Sequence, residues 1–128
     1  MWPFKSRPKL SVTEHDDVVV LSSTGEWPTH EGLRLHELVA KHIEQGARLL
    51  VIDLSAASSM LGRHDLETLR AAAHTHRAGG KLAAVRPKEG TQAGEVWRQS
   101  PVGLLKIPEW NCDTIEEALE IVRQANKE

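Results

Sequence analysis

The sequence predicts an α/β domain, with helices laid on a mixed sheet in the order ββαβαβαβα. Three observations carry that expectation. Leu49-Leu50-Val51-Ile52-Asp53-Leu54-Ser55 is an apolar run ending on a carboxylate and a hydroxyl, the pattern of a strand buried on both faces. Segments with apolar residues at helical spacing flank it on both sides. Two more short apolar runs, Val18–Leu21 and Leu82–Val85, are bounded by turn-forming residues. The polar end of the central run falls where open α/β sheets usually expose their working residues.

Residues 1–8, with Pro3, Pro8, Lys5 and Arg7, read as a flexible arm, and one domain is expected over 9–126. Lys9 to Thr13 suggests an edge strand. His15-Asp16-Asp17 is a turn signal, so Val18–Leu21 is expected to pair back as a hairpin. Thr24 to Thr29 reads as a loop, and Thr29 or His30 opens a helix whose apolar face is Leu35, Leu38, Val39 and Ile43, closed by Gly46. The buried strand spans 48–54. Leu66, Leu69 and Ala73 then mark one face of a second helix, which Gly79-Gly80 ends. Leu82–Val85 is a further strand, stopped by Pro87, and Thr91–Gln99 is a helix weakened by Gly94. Leu104–Ile107 reads as a short strand before Pro108. Asp113, with Glu116 three residues on, forms a capping box for a last helix with Ile115, Ala118, Leu119 and Val122 on its apolar face. The expectation is a mixed sheet of four to five strands carrying about four helices.

Composition bounds the function. A chain of 128 residues with 40% hydrophobic residues suits one modest core. A net charge of −2 gives no basic field for nucleic acid, and with no Tyr and one Phe there is no stacking platform for single strands. The single cysteine, Cys112, makes an intrachain disulfide impossible and suggests a reducing compartment. No apolar run approaches a membrane span, and no long apolar core follows Lys5, Arg7 and Lys9 as in a signal peptide. A cytoplasmic protein with no stable membrane insertion is expected. No cofactor or metal site is expected either, and a homodimer stays open.

Five local patterns, in this order, resemble the STAS domain of bacterial anti-sigma factor antagonists. Gly25-Glu26-Trp27 is similar to that family's Gly-Glu-Leu after its second strand. Gly46-Ala47-Arg48 with Val51-Ile52-Asp53-Leu54-Ser55 resembles its helix end and central strand. Gly79-Gly80-Lys81-Leu82 is similar to its Gly-Gly-Arg-Leu, and Gly103-Leu104 to a Gly-Leu near its last strand. Asp113-Thr114-Ile115-Glu116-Glu117-Ala118-Leu119 resembles its Asp-Ser-Leu-Glu-Glu-Ala-Leu. The resemblance covers about residues 9–125 and implies a STAS-like fold and a regulatory role. Family members of the antagonist type bind an anti-sigma factor that is also a serine kinase. Phosphorylation of one serine, at the N-terminus of the second helix in an Asp-Ser-Ser-Gly-Leu-Gly type segment, releases that partner. A dianionic phosphate at the contact adds charge and desolvation cost. The resemblance also gives Asp53 a structural role, tying backbone amides.

The chain departs from the family at that serine. The ungapped register from Gly25 to Gly79 lays Leu61-Gly62-Arg63-His64-Asp65-Leu66 on the switch segment, and Gly62, which has no hydroxyl, takes the serine's place. Arg63 brings a positive charge to a helix start that is already positive. Ser58-Ser59-Met60-Leu61-Gly62 imitates Ser-Ser-Gly-Leu-Gly only with a deletion and a compensating insertion. The ungapped register is preferred, and Ser58 and Ser59 read first as loop hydroxyls and second as displaced phosphate acceptors.

Other candidates read plainly as structural. His74 and His76 are two apart, which puts them on different helix faces rather than on one metal. His42 borders the first helix's apolar face. His64 and Asp65 near Ser58 suggest a triad, but no strained Gly-x-Ser-x-Gly turn accompanies them, and no enzyme is expected. Asp65 suits a first helical turn, and Cys112 reads as a small packing residue. Trp27-Pro28 divides evenly between a partner anchor and a lid on the core. The sequence reading is therefore a non-enzymatic partner-switching module. Its interface is expected at 24–29 and 58–66, with Trp27, Ser58, Ser59, Met60, Leu61, Gly62, Arg63 and His64 as contact residues. The expected partner is an anti-sigma factor of the serine-kinase type or a larger signalling assembly. The alternatives are phospho-regulation through Ser58 or Ser59, or a STAS subunit of a transporter or ligand-binding assembly.

Overall fold

The computed structural model of the chain describes residues 9–26, 29–59 and 64–127, with side-chain surroundings given for 11–24, 35–58 and 68–125. The expected arm (1–8), Trp27-Pro28 and residues 60–63 lie outside the described residues.

The first strand, β1 (Lys9–His15), pairs antiparallel with β2 (Val18–Glu26). The two-residue connection Asp16-Asp17 closes the hairpin, with Asp16 at φ 58°, a left-handed conformation that Asp tolerates. Arg123, on the last helix, holds this turn by donating to the His15 carbonyl at 3.1 Å. Residues 11–15 of β1 are exposed on both faces, and their polar composition suits an unpaired sheet edge.

After helix α1 (Thr29–Glu44) the chain enters β3 (Leu49–Ser59), parallel to β2. Helix α2 (His64–Arg77) leads to β4 (Lys81–Val85), parallel to β3. Among the described residues the strands form one sheet in the order β1-β2-β3-β4. Both α1 and α2 end in Schellman turns. Gly46 and Gly79 take positive φ, and Ala47 and Gly80 reach back to the carbonyls of His42 and Thr75. Gly80 has a second constraint: a Cβ there would collide with the Arg48 carbonyl oxygen, which accepts from Lys81 N at 2.8 Å.

The two faces of the sheet explain why its central run is apolar throughout. Val19, Leu21, Leu50, Ile52 and Leu54 face α1 and α2, where Leu35, Val39 and Ile43 of α1 meet them. Val18, Val20, Leu49, Val51 and Val85 face Cys112 and Ala118, Leu119 and Val122 of the last helix, α5 (Ile115–Lys127). Complete burial of each such side chain contributes about 1.5–3 kcal/mol.

Five expectations need correction. First, β2 and β3 run past 24 and 54, because Thr24, Gly25 and Glu26 pair with Ala56, Ala57 and Ser59, so Ser58 and Ser59 belong to a strand rather than a loop. Second, Leu104–Ile107 is no strand. Ser100 ends α3 (Gln92–Gln99) and caps α4 (Pro101–Leu105), with Pro101 at its first position, so the chain turns helical there. A single turn of 3₁₀ helix follows at Pro108–Trp110. Third, the place of a fifth strand is taken by one parallel bridge, Val85 to Cys112, and α3 and α4 bring the described α-helices to five. Fourth, α2 buries Thr68, Ala71, Ala72 and Thr75, while Ala73 is exposed and Leu69 half-buried. The face is legible only once Thr75 Oγ1 is seen to donate to the Ala71 carbonyl at 2.7 Å, which lets a polar side chain sit in the core. Fifth, the α5 cap is shifted by one residue. Thr114 Oγ1 accepts from Glu117 N at 3.2 Å, and Glu117 Oε2 accepts from Asp113 N at 3.2 Å.

Candidate functional site

The parallel strands β2, β3 and β4 all end on the same side of the sheet, at Glu26, Ser59 and Val85. That end gathers the positions singled out from the sequence. β4 stops at the Asp53–Val85 pair, while β3 continues beside β2 to the Ser59–Glu26 pair. Alongside the overhang, α3 and α4 contribute Ala93, Trp97 and Val102 to the core.

The ladder breaks where the overhang begins. β2 and β3 are in register through Ser22–Asp53, slip, and resume at Thr24–Ala56, which leaves Ser55 without a ladder partner on either neighbouring strand. Asp53 supplies the missing acceptor: its Oδ1 accepts from Ser55 N at 3.0 Å and from Ser55 Oγ at 2.7 Å. Opposite the slip, Ser23 is 1% exposed and its Oγ has no hydrogen-bond partner among the described residues.

Of the expected contact residues, Ser58 is exposed on β3. Ser59 is the last residue of β3 and His64 the first of α2, with side chains outside the described set. Trp27, Met60, Leu61, Gly62 and Arg63 lie outside the described residues altogether. Asp65 is the second residue of α2. His42 and His74 are half-buried and His76 is exposed. His74 meets His36 of α1 edge-on, ring centroids 5.8 Å apart. Among the described residues no cluster of three or more His, Cys, Asp or Glu could hold a metal ion. No described helix is long and apolar enough to cross a membrane.

Sequence reasoning missed a second feature at this end. The loop after β4, with α3 and α4, encloses a cleft of about 810 Å³ lined by Arg86, Glu89, Trp97, Arg98, Leu104 and Lys106, among others. Asn111 organises its floor. Its Oδ1 accepts from Trp97 Nε1 at 2.9 Å, and its Nδ2 donates to the carbonyls of Val102 (3.1 Å) and Ile107 (2.9 Å). On the rim, Arg86 pairs with Asp113 at 2.6 Å and Arg98 with Glu95 at 2.6 Å. The hydrogen bond from Arg98 holds the Glu95 carboxyl below its usual range, and Glu95 in turn raises Arg98. Next to the cleft, burial pushes the Cys112 thiol up to about 11, with Glu117, Asp113 and Glu109 adding to the shift. Its signal in the sequence was Ser100-Pro101, a cap followed by a first-turn proline, set ahead of an apolar run that reads equally as a strand.

No family model matches the sequence, and no curated protein matches it. Solved structures do match. The anti-sigma factor antagonist SpoIIAA in its unphosphorylated form is 20% identical, with a TM-score of 0.72 over 91% of this chain and 97% of that one. A candidate anti-sigma factor antagonist from Thermotoga maritima is 23% identical, with a TM-score of 0.71 over 89% of this chain and 94% of that one. An anti-sigma factor antagonist from Mycobacterium paratuberculosis is 20% identical, with a TM-score of 0.61 over 94% of this chain and 97% of that one. The chain has the STAS fold, the α/β architecture of these antagonists.

Proposed function

We propose that this chain is a non-enzymatic protein-interaction module, a bacterial cytoplasmic anti-sigma factor antagonist that works without the serine switch. The observation that carries the reading is the fold it shares, along nine-tenths of its length, with structures of anti-sigma factor antagonists. Its partner is an anti-sigma factor of the serine-kinase type, or an assembly containing one, met at the end of the domain carrying 24–29 and 58–66. Trp27, Met60 and Leu61 supply apolar contact there, and Arg63 and His64 polar contact. Gly62 precedes the first residue of α2 by two positions in the chain, so the register that places the family's serine at that helix start leaves nothing to phosphorylate.

The exposure of Ser58 favours a second reading, phosphorylation at Ser58 or Ser59. Against it, both serines are in a strand and stand five or more residues before α2 in the chain, outside the first helical turn whose N–H groups would stabilise a phosphate.

One experiment separates the readings. The full chain is tagged and recovered from its own cell, and any kinase-type partner is then incubated with it and MgATP before intact-mass measurement. A captured partner with unchanged chain mass is the expected result. A phosphate on Ser58 or Ser59 assigns the second reading, and recovery of no such partner overturns the antagonist role. In the captured complex, Trp27→Ala should weaken binding by about tenfold or more.

A further inference from the structure

We propose that the cleft between α3, α4 and the loop after β4 binds a small organic anion with an apolar body, a role beyond the protein contact argued above. At about 810 Å³ it lies in the range of small-molecule sites, roughly 300–1,000 Å³. Its walls are held in place before any ligand arrives. Ser100 Oγ donates to the Trp97 carbonyl at 2.6 Å and accepts from Gly103 N at 3.2 Å, fixing the α3–α4 corner. A Cβ at Gly94 would fall on the Lys88 carbonyl oxygen, and one at Gly103 on that of Trp97, so both glycines mark close backbone contacts in the wall. Asn111 spends its whole amide on the floor.

The groups left over define the ligand. Leu104, 68% exposed, presents an apolar wall to the cleft. Both Glu95 oxygens are engaged by Arg98, and one of them also by Gln99. Lys106 lines the cleft with no ion pair among the described residues, and Arg86 and Arg98 each spend part of their five-donor fork on one carboxylate. With Arg86 paired to Asp113 and Arg98 to Glu95, Lys106 and Glu89 are the lining charges with no ion pair among the described residues, and the local charge is even. The N–H groups that Arg86, Arg98 and Lys106 leave unengaged still outnumber the acceptors of Glu89, which suits a carboxylate, phosphate or sulfonate head group bound by hydrogen bonds with its body against Leu104.

The test is a titration of the full chain with 8-anilinonaphthalene-1-sulfonate, followed by fluorescence and by the ¹⁵N NMR spectrum. Saturable binding should move the Trp97 indole Nε1–H and the Leu104 amide. Lys106→Glu should weaken binding about tenfold and Leu104→Ser about fivefold, while Lys41→Glu on α1 leaves it unchanged. Both cleft positions are exposed, so the variants should keep the wild-type spectrum outside the cleft. Displacement of the probe by dodecanoate identifies a lipid-type carboxylate as the source, and displacement by phenyl phosphate an aromatic phosphate ester. Displacement by neither, unchanged affinity in both cleft variants, or shifts confined to another part of the domain overturns the proposal.

Discussion

Replacing Asn111 with Ala tests whether one side chain holds the α3–α4 corner against the sheet. The substitution leaves three groups without their partner: the Trp97 indole N–H, on a side chain only 2% exposed, and the carbonyls of Val102 and Ile107. The indole N–H, on a side chain that is almost wholly buried, should cost about 2 kcal/mol when left without its acceptor. Asn111 is itself half-buried, so water reaches the carbonyls and each loses only about 0.5 kcal/mol, the low end of a net hydrogen bond. The sum is about 3 kcal/mol, or roughly 10 °C in Tm for a domain of this size. Urea unfolding with an unchanged m-value measures it. A cycle with Trp97→Phe, which deletes the indole donor while keeping an aromatic ring, should return a coupling of about 1 kcal/mol. A loss for Asn111→Ala within about 0.5 kcal/mol of zero, or no coupling in the cycle, would show that the corner is held by apolar contact alone.

Four further outcomes follow from the same structure. Leu50→Ala, at the centre of the two-faced core, should lose about 3 kcal/mol in urea unfolding. Thr114→Ala removes the hydroxyl that accepts from Glu117 N and should cost about 1 kcal/mol, whereas Glu116→Ala, the partner expected from the sequence, should cost little by the same assay. Gly80→Ala drives a methyl against the Arg48 carbonyl and should destabilise by about 2 kcal/mol or more, visible as a lowered Tm. Cys112 holds its proton more tightly folded than unfolded. Its contribution to stability is therefore full below the unfolded pKa near 9.0 and is lost as pH rises through about 11. Stability measured from pH 8 to 11 should fall more steeply in the wild type than in Cys112→Ala, and the folded thiol should react slowly with a disulfide reagent at pH 8.

The parts of the fold legible in the sequence are those where burial alone decides. Leu49–Leu54 lies between two layers of helices, so its apolar run had one reading. Leu35, Val39 and Ile43 on α1, and Ala118, Leu119 and Val122 on α5, pack on one side only and keep the helical period. Gly46 and Gly79 close helices because positive φ suits glycine. Legibility failed where polarity is satisfied internally. Thr68 and Thr75 look like surface residues and are buried, and the small polar tail 55–59 has weak strand propensity but gains a ladder from β2. It failed again at Leu104-Leu105, where an apolar pair suggests a strand and the structure exposes both, at 68% and 65%, on a capped helix. At the expected contact site, the place of His64 at the start of α2 was legible, while Ser58, expected in a loop, lies on β3. The side-chain arrangement, which depends on tertiary contact, was not legible.

The slip between β2 and β3 bears directly on how such a surface is regulated. On one side of it, Leu49–Leu54 is fixed by apolar contact on both faces. On the other, the overhang Ser55–Ser59 carries small side chains, and among its described side chains Ala57 joins the core. With less apolar burial than Leu49–Leu54, the overhang should open locally at a lower cost than unfolding the sheet. A surface that can adjust cheaply suits partner binding, but adjustment alone is no switch. An acceptor serine supplies differential affinity through charge, and Gly62 has no atom to carry it. In the proposed serine-free antagonist, the bound and free states would be separated only by what binds them better, so release would come from a competitor with its own affinity for the chain or its partner. Under the function proposed above, the chain's state would be set by the concentrations of its partners, and a ligand in the proposed cleft would bias it only by binding the free and complexed forms unequally.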